Sequence, residues 1–454
     1  MQALLTKAMD AFLGLSPHSY PLQSSQPAPP SPLPTLHDDV LFAVLSHSSL
    51  KTVTLMMATC HLLYHEGAKV ILRNWPVTFD SIGSEHKARS LLSFLQAEQS
   101  SRCSHVRRLY ISMQIMPSAF ARSLAGLLPF MTTLKSLFLD IEQPLQYHPS
   151  LFSALVSLRS IEDFVVRGSE RSCELIQSLP SSLVSAQLFF TPPTEEARER
   201  LYSTTEYHPL VMLQRSASTL QTLTCGFWWD MNPTVFISLP KVPYPNMHTF
   251  VFYESRGPTL APYVKAFPNL AHLAIPDSSL ATRWHSGHAQ LAVIQRNRNL
   301  ARSSARDSPA WKQLCDYDGR LVDLWFLGPS CPILRLVLND TPNERPPLAL
   351  TDVLAHAHPT ELTITFSRCS FTDVLGSDFL SALGAEGASG LRHLTLSIDI
   401  DAKEDCDLDV GRALVSPARS GCTRDGVQKR GTNRGYPPLG RRRSDDFTPE
   451  TDQL

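Results

Sequence analysis

Two pairs of histidines have the spacing of metal ligands. His61 and His65 lie four residues apart, with a cysteine and a glutamate directly beside them, and imidazole, thiolate and carboxylate groups all bind zinc. No third ligand follows at a suitable spacing, and the pair lacks the glutamate of an H-E-x-x-H motif. His285 and His288 form an equally incomplete set. We therefore predict no metal site and interpret these histidines as solvated surface residues.

The sequence also lacks the glycine-rich motifs of common enzymes. It contains no G-x-G-x-x-G, no G-x-x-x-x-G-K-[ST] and no G-x-S-x-G, so the usual phosphate-binding loops and the nucleophile elbow are absent. No residue is a candidate for catalysis. We predict that the chain is not an enzyme and that it uses no cofactor.

A pattern of apolar residues, L-x-x-L-x-L, recurs through most of the chain. Its copies begin at Val106, Leu134, Ile161, Leu183, Leu220, Met247, Leu270, Ile333 and Leu391. From the first copy to the one at Leu270, most steps are 22 to 28 residues, which is the range of leucine-rich repeats. Because no catalytic residue recurs from copy to copy, the pattern indicates an array that stacks repeats and presents a binding surface.

The segments between the copies predict helices. Phe120, Leu124 and Leu127 recur at i, i+4 and i+7, which places them on one helical face, and Pro129 stops the helix before the next copy. Strands that are joined by helical crossovers run parallel. We therefore predict an α/β fold in which residues 76–401 form an irregular leucine-rich-repeat solenoid with a curved parallel sheet, interrupted by an insertion at 279–309.

Charge and composition exclude several classes of partner. The formal net charge of −1 and an isoelectric point near 7.0 give no reason to expect nucleic acid as the main partner. The basic insertion at 279–309 has no aromatic residue among its arginines other than Trp284, and it predicts a solvated loop. No segment has the unbroken apolar run of a membrane span.

Nine cysteines without a C-x-x-C pair favour free thiols in a reducing compartment, so we predict an intracellular protein of the cytoplasm, the nucleus or both.

Both ends of the chain differ from the repeats. Residues 1–15 predict a short amphipathic helix, since Lys7 and Asp10 interrupt its apolar residues. Residues 16–32 are rich in proline and serine and predict a linker. Residues 402–454 lose the leucine rhythm and are rich in arginine, glycine and serine, so we predict a disordered tail.

A small helical segment is predicted between the linker and the repeats. Asp38 or Asp39 is expected to cap a first helix, residues 50–64 predict a second, and residues 67–75 a third. Three helices of this length enclose little core. Such a segment commonly needs a partner to cover its remaining apolar surface.

Residues 33–75 resemble the F-box, whose usual form is L-P-x-L-P-x-[DE]-[VL]-L followed by an apolar helix with a cysteine and an aromatic residue. The matching residues are Leu33, Pro34, Leu36, Asp39, Val40, Leu41, Val44, Leu45, Leu50, Cys60 and Tyr64. His37 stands where a second proline is common. With repeats behind this segment, the chain is similar to F-box/leucine-rich-repeat proteins, particularly the large families of mushroom-forming fungi.

The resemblance implies a substrate-recognition subunit of a cullin-RING ubiquitin ligase of the SCF type. Its F-box would bind the ligase adaptor, and through it the cullin, while the repeats hold a protein substrate. The adaptor-binding residues that the resemblance implies are Leu33, Pro34, Leu36, Val40, Leu41, Val44, Leu45 and Leu50. In the alternative interpretation these residues only close the three-helix core, and the chain is a leucine-rich-repeat scaffold with no role in a ubiquitin ligase.

The substrate-binding surface follows from strand geometry. The apolar residues of each copy point to the core, so the residues that alternate with them face the concave side of the sheet. Aromatic and arginine side chains tend to dominate protein recognition. We predict contacts to an unidentified protein substrate from Arg108, Tyr110, Phe138, Asp140, Arg167, Tyr253, His272 and His393.

Overall fold

The computed structural model describes the region between the two ends of the chain. It covers residues 37–80, 85–191, 204–226, 242–255, 261–278, 311–328, 331–340, 349–369 and 377–400, together with a few isolated positions between them. The predictions for 1–15, 16–32, 402–454 and nearly all of the insertion at 279–309 lie outside the described residues.

In the part of the chain that the structure describes, twelve parallel strands form one sheet, in which each strand is bonded to its neighbours in the chain. They are β1 (Val77–Asp80), β2 (Arg108–Ser112), β3 (Ser136–Asp140), β4 (Asp163–Gly168), β5 (Ser185–Phe190), β6 (Thr222–Gly226), β7 (Thr249–Ser255), β8 (His272–Ser278), β9 (Leu314–Gly319), β10 (Ile333–Asp340), β11 (Glu361–Cys369) and β12 (His393–Ile400). Every copy of the L-x-x-L-x-L pattern lies in or leads into one of these strands. The predicted α/β fold with a parallel sheet is thus confirmed.

Helices precede the sheet and connect its strands. In the described residues, three come before β1: α1 (Asp38–His47), α2 (Leu50–Met57) and α3 (His61–Asn74). The others described are α4 (Glu85–Gln96), α5 (Ser118–Leu127), α6 (Glu142–Tyr147), α7 (Pro149–Val156), α8 (Glu170–Ser178), α9 (Pro209–Met212), α10 (Ala261–Ala266), α11 (Leu321–Leu327), α12 (Ala349–Ala357) and α13 (Ser377–Gly384). In α5 the predicted apolar face, with Phe120, Leu124 and Leu127, is buried.

The register of most strand pairs aligns the apolar positions of the repeats, and it shifts between β7 and β8 after Val251 and between β11 and β12 after Ser367. Leu137 of β3 pairs with Leu109 of β2 on one side and with Phe164 of β4 on the other, and all three side chains are fully buried. The third apolar position forms a second buried row, as in the pairing of Ile111 with Leu139. Two apolar rows thus run across the sheet and form the core with the helices.

Three strands lack the complete sequence pattern. Asn74 and Pro359 take the place of the first leucine before β1 and β11, although the next two positions stay apolar and join the buried rows. In β9, Tyr317 and Gly319 occupy the second and third positions. A methyl group on Gly319 would lie 2.8 Å from the carbonyl oxygen of Ile275, so only glycine fits there.

The helical segment differs in detail from its prediction. The first helix begins at Asp38, and its N-cap is His37, whose side chain accepts a hydrogen bond from the amide of Asp39. The predicted second helix at 50–64 is wrong, because the chain turns at 58–60 and α3 begins after an extended Cys60. Gly67 lies inside α3, where a Cβ atom would lie 2.3 Å from Cγ of Met57, so glycine lets α2 and α3 pack closely.

A buried arginine links the helical segment to the first repeat. Arg102 is 4 % exposed and donates hydrogen bonds to the hydroxyl of Tyr64 and the carbonyl of Phe94, at 3.2 and 3.3 Å. Its guanidinium pairs with Glu98 at 2.6 Å, and Nδ1 of His65 lies 2.6 Å from the same carboxylate oxygen. Burial acts to raise the pKa of Glu98, but the hydrogen bonds and charges of Arg102 and His65 lower it overall. These contacts fix α3 against the segment before β2.

The last strand is less covered than the others. Leu394 of β12 is 42 % exposed, although Leu362, its partner on β11, is buried. In the described residues, β12 bonds to a strand on one side only. Its register with Leu362 places Leu394 on the core side of the sheet, but the side chain there is not buried.

Candidate protein-binding face

The strand residues that alternate with the buried rows form a second face of the sheet, here called the open face. Tyr110, Phe138 and Val165 share one row of this face and are half-buried, and Arg108, Asp163 and Arg167 are exposed. No helix of the described residues covers these side chains. The alternation predicted from the sequence places this face opposite the core.

Five side chains of the open face stack from β2 to β7. This aromatic–arginine ladder consists of Tyr110, Phe138, Arg167, Phe189 and Tyr253. The rings of Tyr110 and Phe138 lie 5.5 Å apart, and those of Phe189 and Tyr253 lie 6.1 Å apart. The guanidinium carbon of Arg167 lies 5.8 Å from the Phe138 ring and 5.5 Å from the Phe189 ring, which is cation–π contact on both sides.

The ladder brings together four predicted substrate residues and adds Phe189. On β5, Phe189 alternates with the buried Leu188 and Phe190, so the same spacing that identified Tyr110 and Phe138 could have identified it. Phe189 pairs in register with Gly226 of β6, which pairs in turn with Tyr253.

A glycine makes room for the ladder to cross β6. A Cβ atom on Gly226 would lie 2.3 Å from Cδ1 of Phe189, so the Phe189 ring lies directly over this strand. The ring thereby reaches Tyr253, two strands away. A larger residue at position 226 would displace it.

Among the described residues, the charges beside the ladder leave Arg167 without an acidic partner. Asp140 lies opposite Arg167 in the register of β3 and β4. Its carboxylate, however, accepts hydrogen bonds from Nε2 of Gln114 at 2.8 Å and from the hydroxyl of Ser112 at 3.4 Å. No ion pair to Arg167 forms within the part of the chain that the structure describes. The guanidinium is therefore held by two rings, and its side chain is exposed.

A carboxylate from the preceding repeat holds the end of the strand that carries Arg167. Both oxygens of Glu142, on α6, accept hydrogen bonds from Ser169, Arg171 and Ser172 at the start of α8, at 2.6–3.2 Å. Gly168 permits this approach, since a Cβ atom there would lie 2.6 Å from Oε2 of Glu142. Glu142 thus caps α8 and fixes the turn that follows β4.

We expect Glu142→Gln to destabilise the protein by about 2 kcal/mol, because a neutral amide loses the charge-assisted bonds and turns an NH₂ group toward backbone donors. Urea unfolding followed by circular dichroism measures the loss. Glu174→Gln is the control, since Glu174 pairs with Arg171 at the surface of the same helix and should change little. Equal stability of the two variants would show that the cap is unimportant.

Of the other predicted substrate residues, Asp140 lies beside the ladder, whereas Arg108, His272 and His393 lie apart from it. Arg108 donates to the backbone carbonyl of Asn74 at the end of α3. His272 of β8 and His393 of β12 are separated by three strands. His272 is part of a cluster that the sequence did not predict, because Asp316 lies on β9: Oδ2 of Asp316 is 2.5 Å from Nδ1 of His272, and Oδ1 is 2.5 Å from Nε of Arg335.

The predicted adaptor-binding residues divide between surface and core. Val40 and Val44 of α1 are 48 % and 45 % exposed, and Leu41 and Leu50 are half-buried. Leu45 is fully buried, so its prediction as a docking residue is wrong: α1 packs the side that carries Leu45 into the core. Leu33, Pro34 and Leu36 lie outside the described residues. Two exposed apolar residues of this segment were missed, Leu55 and Leu62.

Comparison with protein-family models and with curated proteins gives no match.

In the described residues, no helix is both long and apolar enough to cross a membrane. The same residues contain no group of three His, Cys, Asp or Glu side chains placed to hold a metal ion. His65, which shares α3 with His61 at the spacing of metal ligands, is paired with Glu98.

Proposed function

We propose that this chain is the substrate-recognition subunit of a cullin-RING ubiquitin ligase of the SCF type. The observation that carries the proposal is the aromatic–arginine ladder on the open face. Tyrosine, phenylalanine and arginine are enriched where proteins bind one another. A continuous row of such side chains on a rigid parallel sheet suits recognition of a protein substrate better than catalysis.

The mechanism we propose is proximity. The chain holds a substrate on its open face and docks on the ligase adaptor through its helical segment. Transfer of ubiquitin is then carried out by other subunits, and the chain raises the effective concentration of a substrate lysine beside them. No catalytic residue of this chain is required.

The surface of α1 supports adaptor docking. Val40 and Val44 lie four residues apart and therefore share one side of the helix, and both are nearly half exposed. An exposed apolar stripe of this kind is typical of a helix that binds a partner. Leu41 lies next to this stripe and is half-buried, so it belongs partly to the core.

We expect the double substitution Val40→Asp and Val44→Asp to weaken adaptor binding at least about hundredfold, because two charges on an apolar contact cost several kcal/mol of desolvation. Co-precipitation of adaptor and cullin with the full chain, read by mass spectrometry, measures the effect. Leu380→Asp is a matched control, since Leu380 is 43 % exposed on α13, far along the chain. Undiminished adaptor binding by the double variant would contradict the proposed docking surface.

A scaffold without a ubiquitin ligase is the second candidate, and one observation favours it. The Arg102 contacts bind α3 to the first repeat, as expected if α1–α3 cap the array and have no other role. In that case the wild-type chain would co-precipitate a partner of its open face without adaptor or cullin. The same mass spectra therefore separate the two functions.

A further inference from the structure

We infer that the aromatic–arginine ladder binds an extended segment of a partner protein in which one aspartate or glutamate lies between apolar side chains. The inference rests on the proposed function only in taking the open face as a protein-binding surface. It names the chemistry of the partner, whether or not the chain joins a ubiquitin ligase.

The charge of Arg167 indicates that the partner segment carries an acidic residue. Its guanidinium is exposed, is stacked between Phe138 and Phe189, and pairs with no carboxylate of the described residues. Stacking restricts the side chain before a ligand arrives and leaves the planar edge free to donate two parallel hydrogen bonds. A carboxylate matches that geometry.

The surroundings of Arg167 favour a carboxylate over a phosphate. Recognition of a phosphorylated residue commonly uses a cluster of arginines, but the neighbouring strands carry Phe138, Asp140 and Phe189 beside Arg167. The carboxylate of Asp140 would repel a doubly charged phosphate more strongly than a singly charged side chain. Arg167, with Asp140 beside it, thus suits a ligand side chain that carries a single negative charge.

The rings on both sides of Arg167 indicate apolar neighbours in the ligand. Tyr110 and Phe138 lie on one side, and Phe189 and Tyr253 on the other. With strands spaced about 4.8 Å apart, the ladder from β2 to β7 spans about 24 Å, which is the length of about seven extended residues. A short linear segment can therefore place its acid on Arg167 and its apolar side chains on the rings.

Within the described residues of β8 to β10, the charged side chains already have partners. Asp316 is already bonded to His272 and Arg335, and Asp318 accepts from Nδ2 of Asn339 at 3.0 Å. A ligand carboxylate would have to compete with Asp316 for His272 and Arg335, and with Asp318 for Asn339. The ladder is therefore the part of the open face that can accept a new charge.

Selection of random linear peptides displayed on phage, with the full chain as the target, tests the inference. We expect the wild-type chain to enrich peptides with a single acidic residue between aromatic or branched aliphatic residues. Arg167→Gln should lose the preference for the acid, whereas Arg335→Gln, which removes a guanidinium already bonded to Asp316, should keep it. Enrichment without an acid, no enrichment at all, or a preference that survives Arg167→Gln would overturn the inference.

The most enriched peptide is then synthesised with glutamate, glutamine or phosphoserine at the acidic position. Fluorescence anisotropy should show that glutamate binds at least about tenfold more tightly than glutamine, which is the effect of one charge-assisted hydrogen-bonded pair. Tighter binding of the phosphoserine peptide would overturn the choice of a carboxylate. Because adaptor and cullin are absent from this assay, its failure is distinct from failure of adaptor docking.

Discussion

Leu137→Asp is expected to unfold the repeat region. Leu137 is fully buried at the second apolar position of β3, between Leu109 and Phe164 of the neighbouring strands. An unpaired charge in such a site has no hydrogen-bond partner and costs more than about 4 kcal/mol, a large fraction of the stability of most domains. Thermal melting followed by circular dichroism should show a large drop in the midpoint or no cooperative transition.

Ser136→Asp provides the control for this substitution. Ser136 is the preceding residue on β3, and its half-buried side chain lies on the open face. The same charge there remains in contact with water, so we expect a change within about 1 kcal/mol. Similar melting of the two variants would mean that the assignment of core and open face is wrong.

Stability is expected to fall as the solution is acidified, because of a buried histidine. His208 precedes α9, accepts a hydrogen bond from the amide of Leu210, and stacks on Tyr263 with ring centres 5.8 Å apart. Its burial lowers the pKa of the imidazole to about 3. The unfolded chain has a pKa of about 6.5 at this residue. Between these two values the unfolded state binds a proton that the folded state excludes.

The sign of this effect follows from proton linkage. The contribution of neutral His208 is fully present above about pH 6.5 and decreases by up to about 1.4 kcal/mol per pH unit as the pH falls toward 3. Urea unfolding at a series of pH values measures the slope. His208→Gln should flatten this part of the profile, whereas His86→Gln, at an exposed position, should leave it unchanged. A slope that is the same in all three proteins would exclude His208 as its source.

The strands could be predicted wherever the apolar pattern is complete. In each copy the second and third apolar residues are two positions apart, and this period of two predicts both the strand and its buried side. The first apolar position lies at or shortly before the start of the strand, where packing also accepts Pro359 before β11 or Asn74, the last residue of α3, before β1. A search for three leucines therefore misses strands that need only two apolar positions.

Interactions between repeats could not be predicted from local spacing. Glu142 caps a helix that begins 28 residues later in the chain. Arg102, which follows β1 in the chain, donates a hydrogen bond to Tyr64, which precedes β1. Likewise, the burial of Leu45 depends on which side of α1 meets the core, because adjacent positions such as Val44 and Leu45 lie about 100° apart on a helix. Periodicity predicted an apolar stripe there but not its division between core and surface.

The paired register of the twelve strands has a consequence for how this protein can evolve. Residues of the buried rows and residues of the open face alternate along each strand, so substitutions on the open face can change its surface without disturbing the core rows. Gly226 is an exception. It lies on the open face, yet its size is constrained by the Phe189 ring above it, so drift at this position would move that ring and alter the open face through a residue that has no side chain.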